Sequence, residues 1–72
     1  MPRFIINKQS QNNGDHEVHN ATTGCSYMPS LDNQVALGEH ATCHGAVSYA
    51  KDRWKNERIN GCYYCCKGCH TS

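Results

Sequence analysis

The chain has 72 residues and a formal net charge of +1, from seven Lys and Arg against six Asp and Glu. A chain this short forms one domain and buries only about 60% of the surface that its unfolded form exposes, so an apolar core alone is marginal. The near-neutral charge disfavours a dedicated nucleic-acid binder, which normally carries a basic excess. No apolar run approaches the ~20 residues that a membrane-spanning helix needs.

Short β-rich segments dominate the first half of the chain. Asn13-Gly14-Asp15 is a strong hairpin-turn signal, because both central positions of such a turn favour positive φ. The residues from 22 to 33 are rich in turn formers and predict a loop. Gly38 is expected to end the strand predicted over residues 34–37. The predicted strands are residues 3–8, 16–20 and 34–37.

A helix over about residues 43–57 is the clearest predicted element. Thr42 is a suitable N-cap, and Asn60-Gly61 supplies the stop. One apolar stripe at helical period supports it: Cys43, Val47, Ala50 and Trp54. The fold class is therefore α+β. We expect a single domain over 1–72, with a β-β-β-α unit (1–60) in which one helix packs on a three-stranded antiparallel sheet, and a cysteine-rich cap (61–72).

The last twelve residues carry four of the six cysteines. Two C-x-x-C units abut there, and a two-residue spacer lets both sulfurs of such a unit reach one tetrahedral ion. Adjacent residues rarely bind the same ion, which disfavours using both Cys65 and Cys66. The sequence therefore predicts a structural zinc site. Its ligands would be Cys62, Cys65 and Cys69, with a fourth from His70, Cys66, Cys25 or Cys43.

Two other states of these cysteines stay open. Disulfides are one, and six cysteines allow 15 pairings. Reduced thiols packed as small apolar side chains are the other. Cys43 lies on the apolar stripe of the helix, so we expect it to be buried or paired with Cys25.

The histidines offer only weak signals for catalysis. His16 and His19 are spaced so that a strand would point them to opposite faces. His40 and His44 flank Cys43 but need not share a helical face. Cys66-Lys67-Gly68-Cys69 is too close to the end of the sequence to open the helix that redox dithiols use. We therefore expect a domain that is not an enzyme.

The N-terminal segment contains an apolar run of three residues, shorter than the 7–15 of a signal-peptide core. We therefore expect a cytoplasmic protein, in which clustered cysteines more often indicate metal or redox chemistry than disulfides.

The sequence resembles a family of short uncharacterised bacterial proteins. The resemblance covers nearly the whole chain, and it implies a small free-standing bacterial protein without assigning catalytic residues. It is carried by Asn13-Gly14-Asp15-His16-Glu17-Val18-His19, Gly24-Cys25, Pro29, Leu37-Gly38, Cys43, Ala46-Val47, Ala50-Lys51, and Asn60-Gly61-Cys62 through Cys69-His70-Thr71-Ser72.

These observations favour a zinc-stabilised structural or interaction domain with a protein partner, because each strong feature serves stability. A thiol-based redox or metal-handling protein is the alternative. Weak nucleic-acid binding through the basic stretch from Lys51 to Arg58 and through Tyr63-Tyr64 is the third hypothesis.

Overall fold

The computed structural model describes residues 1–12 and 14–70. Within these residues, one α-helix packs on a four-stranded mixed sheet. The elements in chain order are β1 (Arg3–Asn7), β2 (Asp15–Asn20), β3 (Gln34–Glu39), α1 (Cys43–Arg53) and β4 (Arg58–Gly61). The α+β class and the single packing helix are confirmed, but the three-stranded antiparallel sheet is wrong, because β4 adds a parallel strand.

The antiparallel part of the sheet is centred on β1, and the strand order is β3-β1-β2-β4. The turn between β1 and β2 contains Gly14 at φ 91°, as the hairpin signal predicts, and Asn13 lies outside the described residues. β3 runs past its predicted end: Phe4 pairs with Gly38 and Ile5 with Ala36, so Leu37 is an extra residue. Gly38, at φ 84°, adopts the left-handed conformation that such a bulge uses.

The fourth strand lies in a segment that local patterns assign to the end of a helix. β4 pairs in parallel with β2, and Val18 lies opposite Gly61. The two strands are far apart in sequence, and parallel pairing of that kind requires a crossover, here through β3 and α1. Such long-range pairing leaves no local signal in a four-residue segment.

The helix is shorter than predicted. It begins at Cys43 but ends at Arg53, and Trp54 at φ −121°, ψ 73° leaves the helical conformation. Thr42 has the extended backbone of an N-cap residue, but its side chain makes no capping hydrogen bond. The predicted apolar stripe does face the core, with Ala50 buried and Cys43, Val47 and Trp54 packed against it.

The core lies between the helix and one face of the sheet. Its buried members are Phe4, Ile6, Val18, Leu37, Ala46, Ala50, Cys62, Cys66 and Cys69. Because side chains alternate along a strand, Val18 on the helix side places Glu17 and His19 on the other face of β2. His19 is nevertheless fully buried. The segment that follows β4 therefore contributes three cysteines to the core, and the opposite sheet face holds a buried histidine.

Candidate metal centre

The parallel pairing of β2 and β4 brings the first two residues of the site together. Parallel neighbours end at the same edge of a sheet, so the residues after Val18 and Gly61 emerge side by side. The Cys62 backbone N–H donates to the Val18 carbonyl oxygen at 2.9 Å, which extends the pairing by one residue. His19 and Cys62 therefore meet at this edge.

Two more cysteines complete the group. Cys25 comes from the loop after β2, and Cys65 is the second cysteine of Cys62-Tyr63-Tyr64-Cys65. A backbone hydrogen bond from the Cys66 N–H to the Cys62 carbonyl oxygen, at 2.9 Å, closes the turn that returns Cys65 toward the sheet. The ligand atoms of His19, Cys25, Cys62 and Cys65 all lie within 4.8 Å of one another.

Three distances among the four atoms are close to those around a tetrahedral ion. Ligands at about 2.3 Å (sulfur) and 2.0–2.1 Å (nitrogen) from zinc lie about 3.8 Å apart for two sulfurs and about 3.5–3.6 Å apart for sulfur and nitrogen. The Cys25 and Cys62 sulfurs are 3.8 Å apart. His19 Nδ1 lies 3.5 Å from the Cys65 sulfur and 3.8 Å from the Cys25 sulfur. The cluster could therefore hold a metal ion with little movement.

Backbone amides point at two of these sulfurs. The Asn20 N–H donates to the Cys65 sulfur at 3.3 Å, and the Tyr64 N–H donates to the Cys62 sulfur at 3.4 Å. Hydrogen bonds to a charged acceptor are stronger than those to a neutral one, so these amides favour the thiolate form of both cysteines. Thiolates are the form in which cysteine binds metals.

Burial acts in the opposite direction on the same groups. It raises the pKa of Cys62 and of Cys65, and it lowers the pKa of His19, because each charged form loses hydration inside the protein. Neutral imidazole is the metal-binding form of histidine. A bound cation would supply the positive charge that buried thiolates lack, so the group could hold a metal ion.

The remaining tail cysteines occupy different environments. Cys69 is bonded to Cys43, in a disulfide that spans 26 positions of sequence. Cys66 is a buried free thiol, and burial raises its pKa to about 11. The structure thus pairs Cys43 with Cys69, where the sequence suggested burial or pairing with Cys25.

The predicted ligands are therefore divided between two places. Cys62 and Cys65 lie in the four-residue cluster, together with Cys25, which was one candidate for the fourth ligand. Cys69 lies in the disulfide, with Cys43 and next to His44. His70, another candidate, places its Nδ1 3.0 Å from the Gly61 carbonyl oxygen. The zinc ligand set given by the sequence stays a prediction that a binding experiment must decide.

His19 is not among the metal ligands that the sequence predicts. His16 and His19 do diverge: His16 Nδ1 lies 3.0 Å from the Asn7 carbonyl oxygen and its Nε2 lies 3.4 Å from Glu57, whereas His19 faces the cysteines. The opposite orientation of His16 does not determine which side chains His19 contacts on its own face of the sheet. No local sequence signal marks His19 as a ligand, because it meets the cysteines only through the pairing of β2 with β4.

Exposed tyrosines surround the cluster. Tyr63 and Tyr64 lie between Cys62 and Cys65, and Tyr27 follows Cys25 by two residues. The rings of Tyr27 and Tyr64 stack at 4.4 Å between centroids, and Tyr63 meets Tyr64 edge to face at 5.2 Å. Lys67 Nζ lies 5.8 Å from the centre of the Tyr63 ring. We call Tyr27, Tyr63 and Tyr64 the tyrosine patch.

Comparison with family models, curated proteins and solved structures finds no match for this chain. The resemblance to short bacterial proteins, and the bacterial origin that it implies, therefore stay predictions. Among the described residues, no helix has the length and apolar character needed to cross a bilayer.

Proposed function

We propose that this protein is a small structural zinc-binding domain, with zinc held by His19, Cys25, Cys62 and Cys65. The observation that carries the proposal is the convergence of four ligand atoms within 4.8 Å of one another, with 3.5–3.8 Å separating Cys25 from Cys62 and His19 from both Cys25 and Cys65. Three thiolates and an imidazole form a donor set that suits zinc. Harder cations such as magnesium and calcium prefer oxygen donors.

The site favours a structural role over a catalytic one. Catalytic zinc usually has three protein ligands and leaves a position open for water or substrate, whereas structural zinc has four. Here four side chains are available, and two of them, His19 and Cys62, are at most 1% exposed. A metal in this position would join β2, the loop after it and the tail, and so contribute directly to folding free energy.

The tyrosine patch supports an interaction role for such a domain. Tyr27, Tyr63 and Tyr64 are between 50% and 60% exposed, although tyrosine rings are large and partly apolar. Aromatic residues of this kind are enriched at protein–protein interfaces. Because Tyr63 and Tyr64 lie between two proposed ligands, metal binding would fix the geometry of the patch. A protein partner that docks on these rings is therefore part of the proposal.

The Cys43–Cys69 disulfide favours the second candidate, thiol-based redox or metal-handling chemistry. Disulfides persist mainly in oxidising compartments, so this bond also bears against the proposed cytoplasmic location. Counting the free thiols of protein that is alkylated during rapid isolation from cells tests whether the disulfide exists there, and so tests both the redox candidate and the cytoplasmic location. Nucleic-acid binding has less support, because the formal net charge is only +1 and a dedicated nucleic-acid binder normally carries a basic excess.

Metal analysis of ligand variants tests the zinc proposal. The purified wild type should contain one zinc per chain by native mass spectrometry, and denaturation should release it. His19→Ala and Cys25→Ala each remove one of four ligands, so each should lower zinc affinity in a competition titration by more than the roughly 10–100-fold that loss of an outer-shell partner costs.

The control variants separate the two ligand sets. Cys66→Ala removes a buried free thiol outside the cluster, and the double variant Cys43→Ala/Cys69→Ala removes the disulfide. Both should keep one zinc per chain. If the double variant loses zinc while His19→Ala keeps it, the tail set with Cys69 is right and the site proposed here is wrong.

A further inference from the structure

The His19 side chain has one ring nitrogen that the cysteines do not explain. Its Nδ1 faces the Cys25 and Cys65 sulfurs, so its Nε2 points away from the cluster. Nε2 is fully buried and has no hydrogen-bond partner among the described residues. A buried N–H without a partner loses its hydrogen bonds to water and gains none in return, so a group that could pair with it is expected nearby.

Glu17 is the group in that position. Its Oε1 lies 3.7 Å from His19 Nε2, slightly beyond hydrogen-bond distance, and its side chain is only 13% exposed. The two residues are i and i+2 on β2, so the strand places both side chains on the same face. A shift of either side chain by about half an ångström would bring the two atoms within hydrogen-bond distance.

Glu17 is a mostly buried carboxylate, and its Oε1 lies beside the Nε2 of the fully buried His19 ring. Most carboxylates avoid burial unless they are paired. Arg58 does not serve here, because it pairs with Asp15 at 3.0 Å.

We propose that Glu17 is the positioning residue of the metal centre. It would accept a hydrogen bond from His19 Nε2–H, which fixes the tautomer that presents the Nδ1 lone pair to the metal and makes the imidazole a stronger ligand. Metal-bound histidines usually have such a carboxylate or carbonyl partner, and its removal lowers metal affinity or activity by about 10–100-fold. This inference rests on the zinc site proposed above.

Two substitutions of Glu17 test it. Glu17→Ala removes the acceptor and should weaken zinc binding about 10–100-fold in competition with a chromogenic chelator. Glu17→Gln keeps the shape and one carbonyl acceptor without the charge, so its affinity should lie between those of Glu17→Ala and wild type. In addition, ¹⁵N NMR of the zinc-loaded wild type should show a protonated His19 Nε2 protected from exchange, and Glu17→Ala should lose that protection.

Glu57 provides the matched control, since it lies 3.4 Å from the Nε2 of His16, the other histidine of β2. Glu57→Ala should leave both zinc affinity and the His19 signals at wild-type values. Equal zinc affinity in wild type, Glu17→Ala and Glu17→Gln, together with an unchanged Nε2 signal, would overturn the role of Glu17 while leaving the zinc site intact. Absence of zinc binding in the wild type would instead refute the site itself.

Discussion

Among the described glycines, Gly61 is the one at which a Cβ would make the shortest contacts, and Gly61→Ala tests how the tail is packed. A Cβ at residue 61 would lie 2.7 Å from the Cys69 Cβ, 2.9 Å from the Cys69 carbonyl carbon and 3.0 Å from the Cys66 carbonyl oxygen. Two of these atoms are backbone, so they cannot rotate away. Cys69 is also held by its bond to Cys43. The tail must therefore shift as a unit to admit the methyl group.

The cost of this shift can be estimated from related cases. One extra methylene in a packed interior usually costs about 1–3 kcal/mol, and contacts under 3.0 Å with a tethered backbone favour the upper half of that range, about 2–3 kcal/mol. For a domain of this size each kcal/mol lowers Tm by about 4–8 °C, so Gly61→Ala should lower Tm by about 10–20 °C. Because Cys62 is the next residue, zinc affinity should also fall.

Thermal and urea unfolding of the zinc-saturated protein measure this effect. Gly68→Ala is the control, since a Cβ there meets only the His44 Cε1 atom at 4.0 Å. It should be neutral, or more stable by about 0.4–1 kcal/mol because alanine restricts the unfolded chain. A Gly61→Ala protein within about 0.5 kcal/mol of wild type, which is the range of ordinary surface substitutions, would refute the close contact between β4 and the tail.

Two further predictions concern the cross-link and the core. The double variant Cys43→Ala/Cys69→Ala opens a loop of 26 positions and should lose about 3–4 kcal/mol of unfolding free energy. Denaturant titration with and without reductant would measure this loss. The reduced wild type and the variant should have the same unfolding free energy. Val18→Ala, at a fully buried position, should cost about 1.5–3 kcal/mol. Leu31→Ala, at a residue 83% exposed, should change stability by less than about 0.5 kcal/mol in the same titration, and equal losses for the two variants would contradict the assignment of the core.

The elements that the sequence predicts are those set by interactions between residues close together in the chain. The strand over Phe4–Ile6, the turn at Gly14 and the apolar stripe of α1 follow from alternation, turn chemistry and helical period. β4 could not be found in this way, because Arg58-Ile59-Asn60-Gly61 becomes a strand only by pairing with β2. The end of the helix at Arg53 has the same cause, since the chain must leave the helix in time to reach that edge of the sheet.

The candidate site shows the same division. The C-x-x-C spacing of Cys62 and Cys65 predicts that both sulfurs turn toward one point, and the two sulfurs do belong to one cluster. Their partners depend on tertiary structure, because His19 reaches them only through the β2–β4 pairing and Cys25 only through the path of a loop. Cys69 follows Cys66 at the same spacing, yet it pairs with the helix, because the 3₁₀ turn from Lys67 to Cys69 carries it there.

Loop closure explains why a site with distant ligands stabilises the domain more than one confined to the tail. Cys62 and Cys69 are seven positions apart, whereas Cys65 and His19 are separated by 46. The entropy that a cross-link removes from the unfolded chain grows by about 0.6 kcal/mol per doubling of the loop, so the longer closure is worth roughly 1.5 kcal/mol more. A metal bound only within the tail would order the tail but add no link between the tail and the sheet. The zinc site proposed on His19, Cys25, Cys62 and Cys65 would add a link between the tail and the sheet, and the Cys43–Cys69 disulfide links the tail to the helix.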